Sequence, residues 1–378
     1  MPVVRGGAGP CGGGAAVRQG AVGALWQGSR VATSEDAAPA LRPLHARTVA
    51  LGDALHRRAS RRALEQGWRP SISVYAGYGS PRRVRVMGRL LLTAPDGRSP
   101  SERPEVVRGW RSFLTVPVRD APVVVEVSGE RHAVRTDRGG FVDVTLPADL
   151  EAGWQEVVLH AEGAEPVPAP VRVIGDDVEL GLVSDVDDTV MVTALPRPFL
   201  AAWNTFVLDE HARNPVPGMA VLYERITRAH ADVPVVYLST GAWNVAQTLT
   251  RFLHRHLYPR GPLLLTDWGP TPDRWFRSGR LHKERSLRRL ADEFPHVRWL
   301  LVGDDGQHDE AIYADFARER PDNVAAVAIR HLSPTESVLA QGLPTPQGAP
   351  EREDSDHAWV SAPDGAGLAR LLRDTGVL

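Results

Sequence analysis

From Glu179 onward the chain repeats one pattern: a short, almost wholly apolar run followed by a stretch with helical spacing. The runs are ELGLVSD, PVVYLST, GPLLLTD, RWLLVGD and NVAAVAIR. None alternates polar with apolar residues, so each reads as a strand covered on both faces, the environment of a parallel sheet. The segments between them, around Gly218–His230, Trp243–His256, Lys283–Glu293 and Asp309–Glu319, carry the period of amphipathic helices. Strands and helices in alternation predict an α/β domain with a doubly wound parallel sheet over residues 176–340.

Upstream the period changes. Between Ser71 and Ile174, runs such as SISVYAGYG, VRVMGRLLL, PVVVEVSG, FVDVTL and QEVVLHAEG are short, rich in Val, Leu and Thr, and separated by turn residues such as Asp96-Gly97 and Gly139-Gly140. Regular short strands predict an all-β sandwich over residues 69–175. Residues 36–68 read as helical and bring Arg57, Arg58, Arg61 and Arg62 close together, either as a solvated face or as a patch for anionic lipid.

The ends are simpler. Residues 1–35 are rich in Gly and Ala, and Arg18, Gln19 and the glycines interrupt the apolar core that a signal peptide needs. They read as a flexible tail, and the expected location is the cytoplasm, with peripheral membrane contact as an extension of it. Residues 341–357 form an acidic, Pro-rich linker, and residues 358–378 a final helix. The net charge of −2 gives no global attraction to nucleic acid, and the single cysteine, Cys11, excludes an internal disulfide. Oligomeric state is not legible.

Open α/β sheets bind ligands at the carboxyl ends of their strands. There the first run ends in Ser184-Asp185-Val186-Asp187-Asp188-Thr189, and Asp185 and Asp187 share one side of an extended segment. The second ends in the hydroxyl pair Ser239-Thr240 before a helix. Lys283 stands at the expected opening of a later helix, and another run ends in Gly303-Asp304-Asp305-Gly306-Gln307-His308-Asp309. Taken singly, each has an ordinary role as a cap, a turn or a surface residue. Taken in this order at successive loops, they are the set that phosphoryl transfer requires. Asp185 can attack phosphorus as a nucleophile, and Asp187 can serve as acid and then base. Ser239, Thr240 and Lys283 can hold phosphate oxygens. Magnesium suits the carboxylates Asp185 and Asp304 with the carbonyl of Asp187.

These elements resemble the four motifs of the haloacid dehalogenase superfamily of phosphatases. More narrowly, YAGYG, TDRGGF, SDVDDTV, YLSTGAWN, the run from GPLLLTDWG to SGRLHK, and GDDGQHDEAIY resemble the actin-patch-associated phosphatidate phosphatase family, which has many bacterial members. The resemblance runs from about Arg69 to Ser333. It implies a magnesium-dependent enzyme that converts phosphatidate to diacylglycerol, with Asp185 as nucleophile, Asp187 as acid/base, Ser239 and Lys283 on phosphate, and Asp304 on the metal, Asp309 being the weaker ligand candidate. The chain departs from that pattern at Gly241-Ala242, where Ser-Pro is expected, and at Asp305, where serine is common.

The short interval between Asp185 and Ser239 leaves room for a small insert rather than a cap domain. It holds Arg197, Phe199, Trp203 and Phe206, of which Arg197 and Trp203 are the candidates for substrate contact. The same aromatics could equally pack on the sheet. Three readings stand: a phosphatase of phosphatidate or a related lipid phosphate, a phosphatase of a soluble phosphomonoester or phosphoprotein by the same chemistry, and a non-catalytic scaffold.

Overall fold

The computed structural model describes residues 42–94, 115–192, 214–230, 232–266, 272–306, 308–333, 336 and 357–378, with side chains from residue 52 and, in the helix that starts at Pro272, from Gly279. The tail, the insert with Arg197 and Trp203, and nearly all of the linker lie outside the described residues.

Helix α1 (Arg42–Glu65) precedes eight strands: β1 (Arg69–Ser80), β2 (Arg83–Thr93), β3 (Val116–Pro117), β4 (Pro122–Val127), β5 (Glu130–Arg135), β6 (Phe141–Pro147), β7 (Gly153–Ala161) and β8 (Val167–Val173). Two separate sheets were the expectation. Instead the strands hydrogen-bond as one mixed sheet in the order β3-β2-β1-β8-β7-β4-β5, with β6 also on β2. The joint is β1. It runs antiparallel to β2 and, past an irregularity between Tyr75 and Tyr78, parallel to β8 from Gly77 to Gly79. Such an irregularity bends a strand, so one long strand can serve both halves of the sheet. The sheet curls around Val84, Val86, Val125, Leu159 and Val171, all fully buried.

The second sheet is wholly parallel: β9 (Leu180–Asp185), β10 (Val235–Ala242), β11 (Leu263–Thr266), β12 (Arg298–Asp304), β13 (Val324–Arg330) and β14 (Ala358–Ala362), in the order β11-β10-β9-β12-β13-β14. Its core is two-sided. Leu222 of helix α2 (Met219–Ala229), Leu249 of α3 (Ala246–Arg255) and Leu368 of α6 (Gly365–Asp374) pack with Leu182 and Val302 on one face. Leu290 of α4 (Pro272–Glu293) and Ile312 of α5 (Asp309–Glu319) pack with Val183, Leu238 and Trp299 on the other. Burial on both faces is why these strands carry no polar alternation.

Two elements depart from the sequence reading. The C-terminal segment 358–378 reads as a helix over Gly365–Asp374, which the structure shows, but residues 358–362 before it form a strand that pairs with β13 from Ala326 to Arg330. A five-residue run is too short to display a period, and the helix proper starts only after Asp364, whose carboxylate caps it by accepting from Gly367 N at 2.8 Å. Helix α4 begins at Pro272, so Lys283 lies in its interior rather than at its opening. Gly279 makes this longer helix workable. A Cβ there would stand 2.9 Å from Thr240 Cγ2, so the glycine lets α4 pass directly over the end of β10.

Both sheets belong to one compact unit, His56–Leu378. Tyr75 of β1 meets Trp243 with ring centroids 4.7 Å apart, and Phe141 of β6 meets the same ring at 5.8 Å. Arg289 of α4 donates to Thr145 Oγ1 of β6 at 2.9 Å, and Tyr78 packs on Phe294. Among the described residues, no helix is long and apolar enough to cross a membrane.

Candidate active site

The strand order of the parallel sheet reverses between β9 and β12, and the crevice at such a reversal is where an open α/β sheet offers its ligand site. Asp185 ends β9 and Asp304 ends β12. Asp309 opens α5 just beyond. All three side chains are buried, and each offers an oxygen within 4.8 Å of the others, so this trio could hold a metal ion.

Lys283 reaches the cluster from α4. Its Nζ lies 2.5 Å from Asp185 Oδ1 and donates to Asp309 Oδ1 at 2.5 Å. Burial works against the ammonium, but Asp185 and Asp309 outweigh it and hold the Lys283 pKa above the ordinary lysine value. The carboxylates respond in the opposite sense. Desolvation raises Asp185 well above the usual range. Lys283 pulls it down, and Asp309, Asp187 and Asp304 push it up again. Desolvation likewise raises Asp304, with Asp309 and Asp188 adding to it. The site therefore crowds more negative charge than Lys283 offsets. Among the described residues, the buried Asp309 Oδ2 has no hydrogen-bond partner. Hard carboxylate oxygens with an unsatisfied lone pair are the donor set for Mg²⁺ or a similar cation.

Asp187 is also buried, but its side chain turns to β10, where Ser239 Oγ donates to Asp187 Oδ2 at 2.8 Å. The same Oγ accepts from Gly241 N at 3.0 Å. Ser239 thus engages Asp187 through its hydroxyl. Thr240 is half-buried, and its carbonyl accepts from Thr266 Oγ1 at 2.9 Å. Asp304 Oδ1 accepts from Gly306 N at 2.7 Å, which fixes the turn between β12 and α5. Gly303 is required by that approach, since a Cβ on it would meet Asp309 Oδ2 at 2.7 Å and Asp309 Cβ at 2.8 Å.

The structure therefore brings Asp185, Asp187, Ser239, Lys283, Asp304 and Asp309 into one buried cluster, with Thr240 at its edge. The loop after Asp187 is held by residues that sequence reasoning passed over. Asp188 adopts a left-handed conformation with φ 58°, uncommon for a side chain other than glycine. Its carbonyl accepts from Arg330 Nη1 at 2.6 Å, and Tyr258 OH donates to Val190 O at 2.9 Å. The available signal for Arg330 was a lone charge at the carboxyl end of an otherwise apolar strand.

Residues 180–331 match the model of the family described as phosphatidate phosphatase APP1, catalytic domain. Phosphatidate phosphatase APP1 of Saccharomyces cerevisiae is 25% identical over 234 residues, 58% of this chain and 39% of the yeast protein. An uncharacterized protein of Schizosaccharomyces pombe is 23% identical over 187 residues, 49% of this chain and 31% of its own length. The chain thus spans less than half the length of either relative. Among solved structures, a carbohydrate acetylesterase from Xanthomonas citri aligns over 70% of this chain and 68% of its own, with 11% identity and a TM-score of 0.27, too low to inform the fold. The segment that matches the phosphatidate phosphatase APP1 catalytic domain is the one that carries Asp185, Asp187, Ser239, Lys283, Asp304 and Asp309.

Proposed function

We propose that this protein is a phosphoric monoester hydrolase of the haloacid dehalogenase-like type, with a doubly wound catalytic domain, acting on phosphatidate or a related lipid phosphate. The observation that carries the reading is the convergence of Asp185, Asp304 and Asp309 on Lys283 at the sheet's reversal point, inside a segment similar to a phosphatidate phosphatase catalytic domain.

In this reading the Asp185 carboxylate attacks phosphorus, and the bond from phosphorus to the leaving oxygen breaks, leaving an aspartyl-phosphate. Asp187 gives its proton to the departing alkoxide of diacylglycerol, then accepts one from the water that attacks the aspartyl-phosphate and releases phosphate. The hydrogen bond from Ser239 to Asp187 Oδ2 fixes which carboxylate oxygen carries the transferable proton. Lys283, charged throughout, steadies Asp185 and offsets charge on the phosphoryl oxygens. Magnesium, held by Asp185, Asp304 and Asp309 with the Asp187 carbonyl, would supply the positive charge that lets an anionic nucleophile meet an anionic substrate. Such an enzyme would work from the cytoplasm at a membrane surface.

The test is phosphate release from phosphatidate in mixed micelles, beside a soluble aryl phosphate, with magnesium and after chelation. Magnesium-dependent release from phosphatidate, lost in Asp185→Asn, is the expected result. Release from the aryl phosphate alone would keep the chemistry and replace the lipid with a soluble substrate. Release from neither, by folded protein with magnesium, would favour a scaffold.

A further inference from the structure

We propose that Arg330 is a positioning residue that locks the Asp187–Asp188 loop into its active geometry, acting through the backbone rather than on the substrate. The inference rests on the phosphatase reading for its kinetic consequence, but not for its structural one.

Arg330 ends β13, and its side chain is buried. Its guanidinium is committed on three sides. Nη1 donates to Asp188 O at 2.6 Å, Nη2 donates to both carboxylate oxygens of Glu336 at 2.8 and 2.9 Å, and Nε reaches Pro363 O at 3.4 Å. Glu336 is itself anchored, because its Oε2 accepts from Ser333 N at 2.8 Å. A buried cation is costly without a fixed anion, and here Glu336 supplies it. What Arg330 offers the site is a strong, charge-assisted donor aimed at one carbonyl.

That carbonyl belongs to the strained residue of the loop. Asp188 holds φ 58° between Asp187 and Thr189, and such a conformation persists only where its surroundings over-determine it. Locally, Asp188 N donates to Met191 O at 2.8 Å, while Val190 N and Met191 N donate to Val186 O. Arg330 closes the turn from outside. Its own carbonyl accepts from Asp305 N at 3.1 Å, so the same residue ties the Asp304 loop to the Asp187 loop. Releasing this tie frees the Asp188 peptide to turn, which moves the Asp187 carboxylate relative to Asp185 while leaving both residues present.

A planar guanidinium serves the carbonyl and Glu336 at once, and an ammonium cannot reproduce that fork. Arg330→Met is therefore expected to lower kcat on the aryl phosphate by about 10²-fold, as small misplacements of a catalytic group do. KM should stay nearly unchanged, and Arg330→Lys should recover part of the loss. Hydrogen exchange supplies a second readout that needs no turnover. The peptide covering residues 185–191 should exchange faster in Arg330→Met, while the strands of the curled sheet keep their protection. If Arg330→Met fails to fold, Glu336→Gln, which weakens the anchor only, should show both effects in smaller degree. Faster exchange in a protein with no phosphatase activity would uphold the lock and sink the phosphatase reading. Wild-type kcat and unchanged exchange at 185–191 in a folded variant would overturn the proposal.

Discussion

Lys283 Nζ lies 2.5 Å from an oxygen of Asp185 and from an oxygen of Asp309, yet Asp185 and Asp304 still hold protons more tightly than a free carboxylate does. The consequence for stability has a definite sign. An unfolded aspartate titrates near ~3.9, and these two titrate higher in the fold, so the native chain binds more protons between those values. These two carboxylates alone therefore lower the metal-free melting temperature as pH rises from about 4. His282 opposes them, because burial depresses its pKa to about 4 and it adds stability as pH rises toward ~6.5. Lys283 works the other way, but its contribution is complete below the ordinary lysine value of ~10.4 and is lost only as pH rises beyond it. It is constant across the acid window and cannot mask the carboxylates. Magnesium at about a hundred times its dissociation constant should add about 2.7 kcal/mol near neutral pH and flatten the dependence. Calorimetry across pH on a His282→Gln variant, with and without magnesium, checks this; a metal-free melting temperature that rises with pH above about 4 in that variant would count against the crowded-carboxylate account. Asp185 and Asp304 were legible because each ends an apolar strand and Asp309 because it stands at a helix start, whereas Lys283 was expected at a helix opening and lies inside α4. The pairing of Ser239 with Asp187 was not legible, since a hydroxyl near a helix start reads equally as a cap.

At the scale of elements, the site depends on how closely α4 and α5 approach the strand ends. Gly303 sits where β12 meets α5, with no space for a methyl group between it and Asp309 and Tyr313. Gly303→Ala should push α5 outward, cost about 1–3 kcal/mol as overpacking does, and weaken magnesium binding, because Asp309 moves with the helix. Titration calorimetry with magnesium reads the second effect, and unaltered affinity would show that Asp309 is no ligand. The apolar strands and most helices were readable from their periods, whereas three features escaped. Strand β14 is five residues long and follows a polar linker. Helix α4 runs through Gly279, which in sequence looks like a breaker but in the fold is clearance over Thr240. Arg330 reads as a strand end, and only the folded chain shows that its guanidinium crosses to the loop after β9.

At the scale of the whole molecule, the curled sheet and the parallel sheet share the unit His56–Leu378 and meet next to the site. Trp243 follows directly on the β10 segment that carries Ser239 and Thr240, and it rests on Tyr75 and Phe141 of the other sheet. Arg89 lies over Phe141, its guanidinium 4.5 Å from the ring centre. Unfolding should accordingly be a single transition. Tyr75→Ala should lower it as a whole, losing about 0.5–1.5 kcal/mol for the aromatic pair beyond the area buried. Two calorimetric peaks, only one of them shifted by the substitution, would show instead that the sheets fold independently. Sequence periodicity separated the two regions but could not show that β1 joins all eight strands of the first into one sheet, because strand partners are set by long-range pairing rather than local pattern.

The central claim is covalent catalysis by Asp185, and trapping the intermediate tests it most directly. An aryl phosphate has a leaving group that needs little protonation, so Asp187→Asn should still be phosphorylated while hydrolysis of the aspartyl-phosphate, which needs the base, is slowed. Acid quench and peptide mass mapping should then find one phosphoryl group on the peptide containing Asp185, absent when Asp185 is also changed to Asn. Phosphate release by the wild type, with no phosphoryl group on that peptide in either protein, would contradict the account.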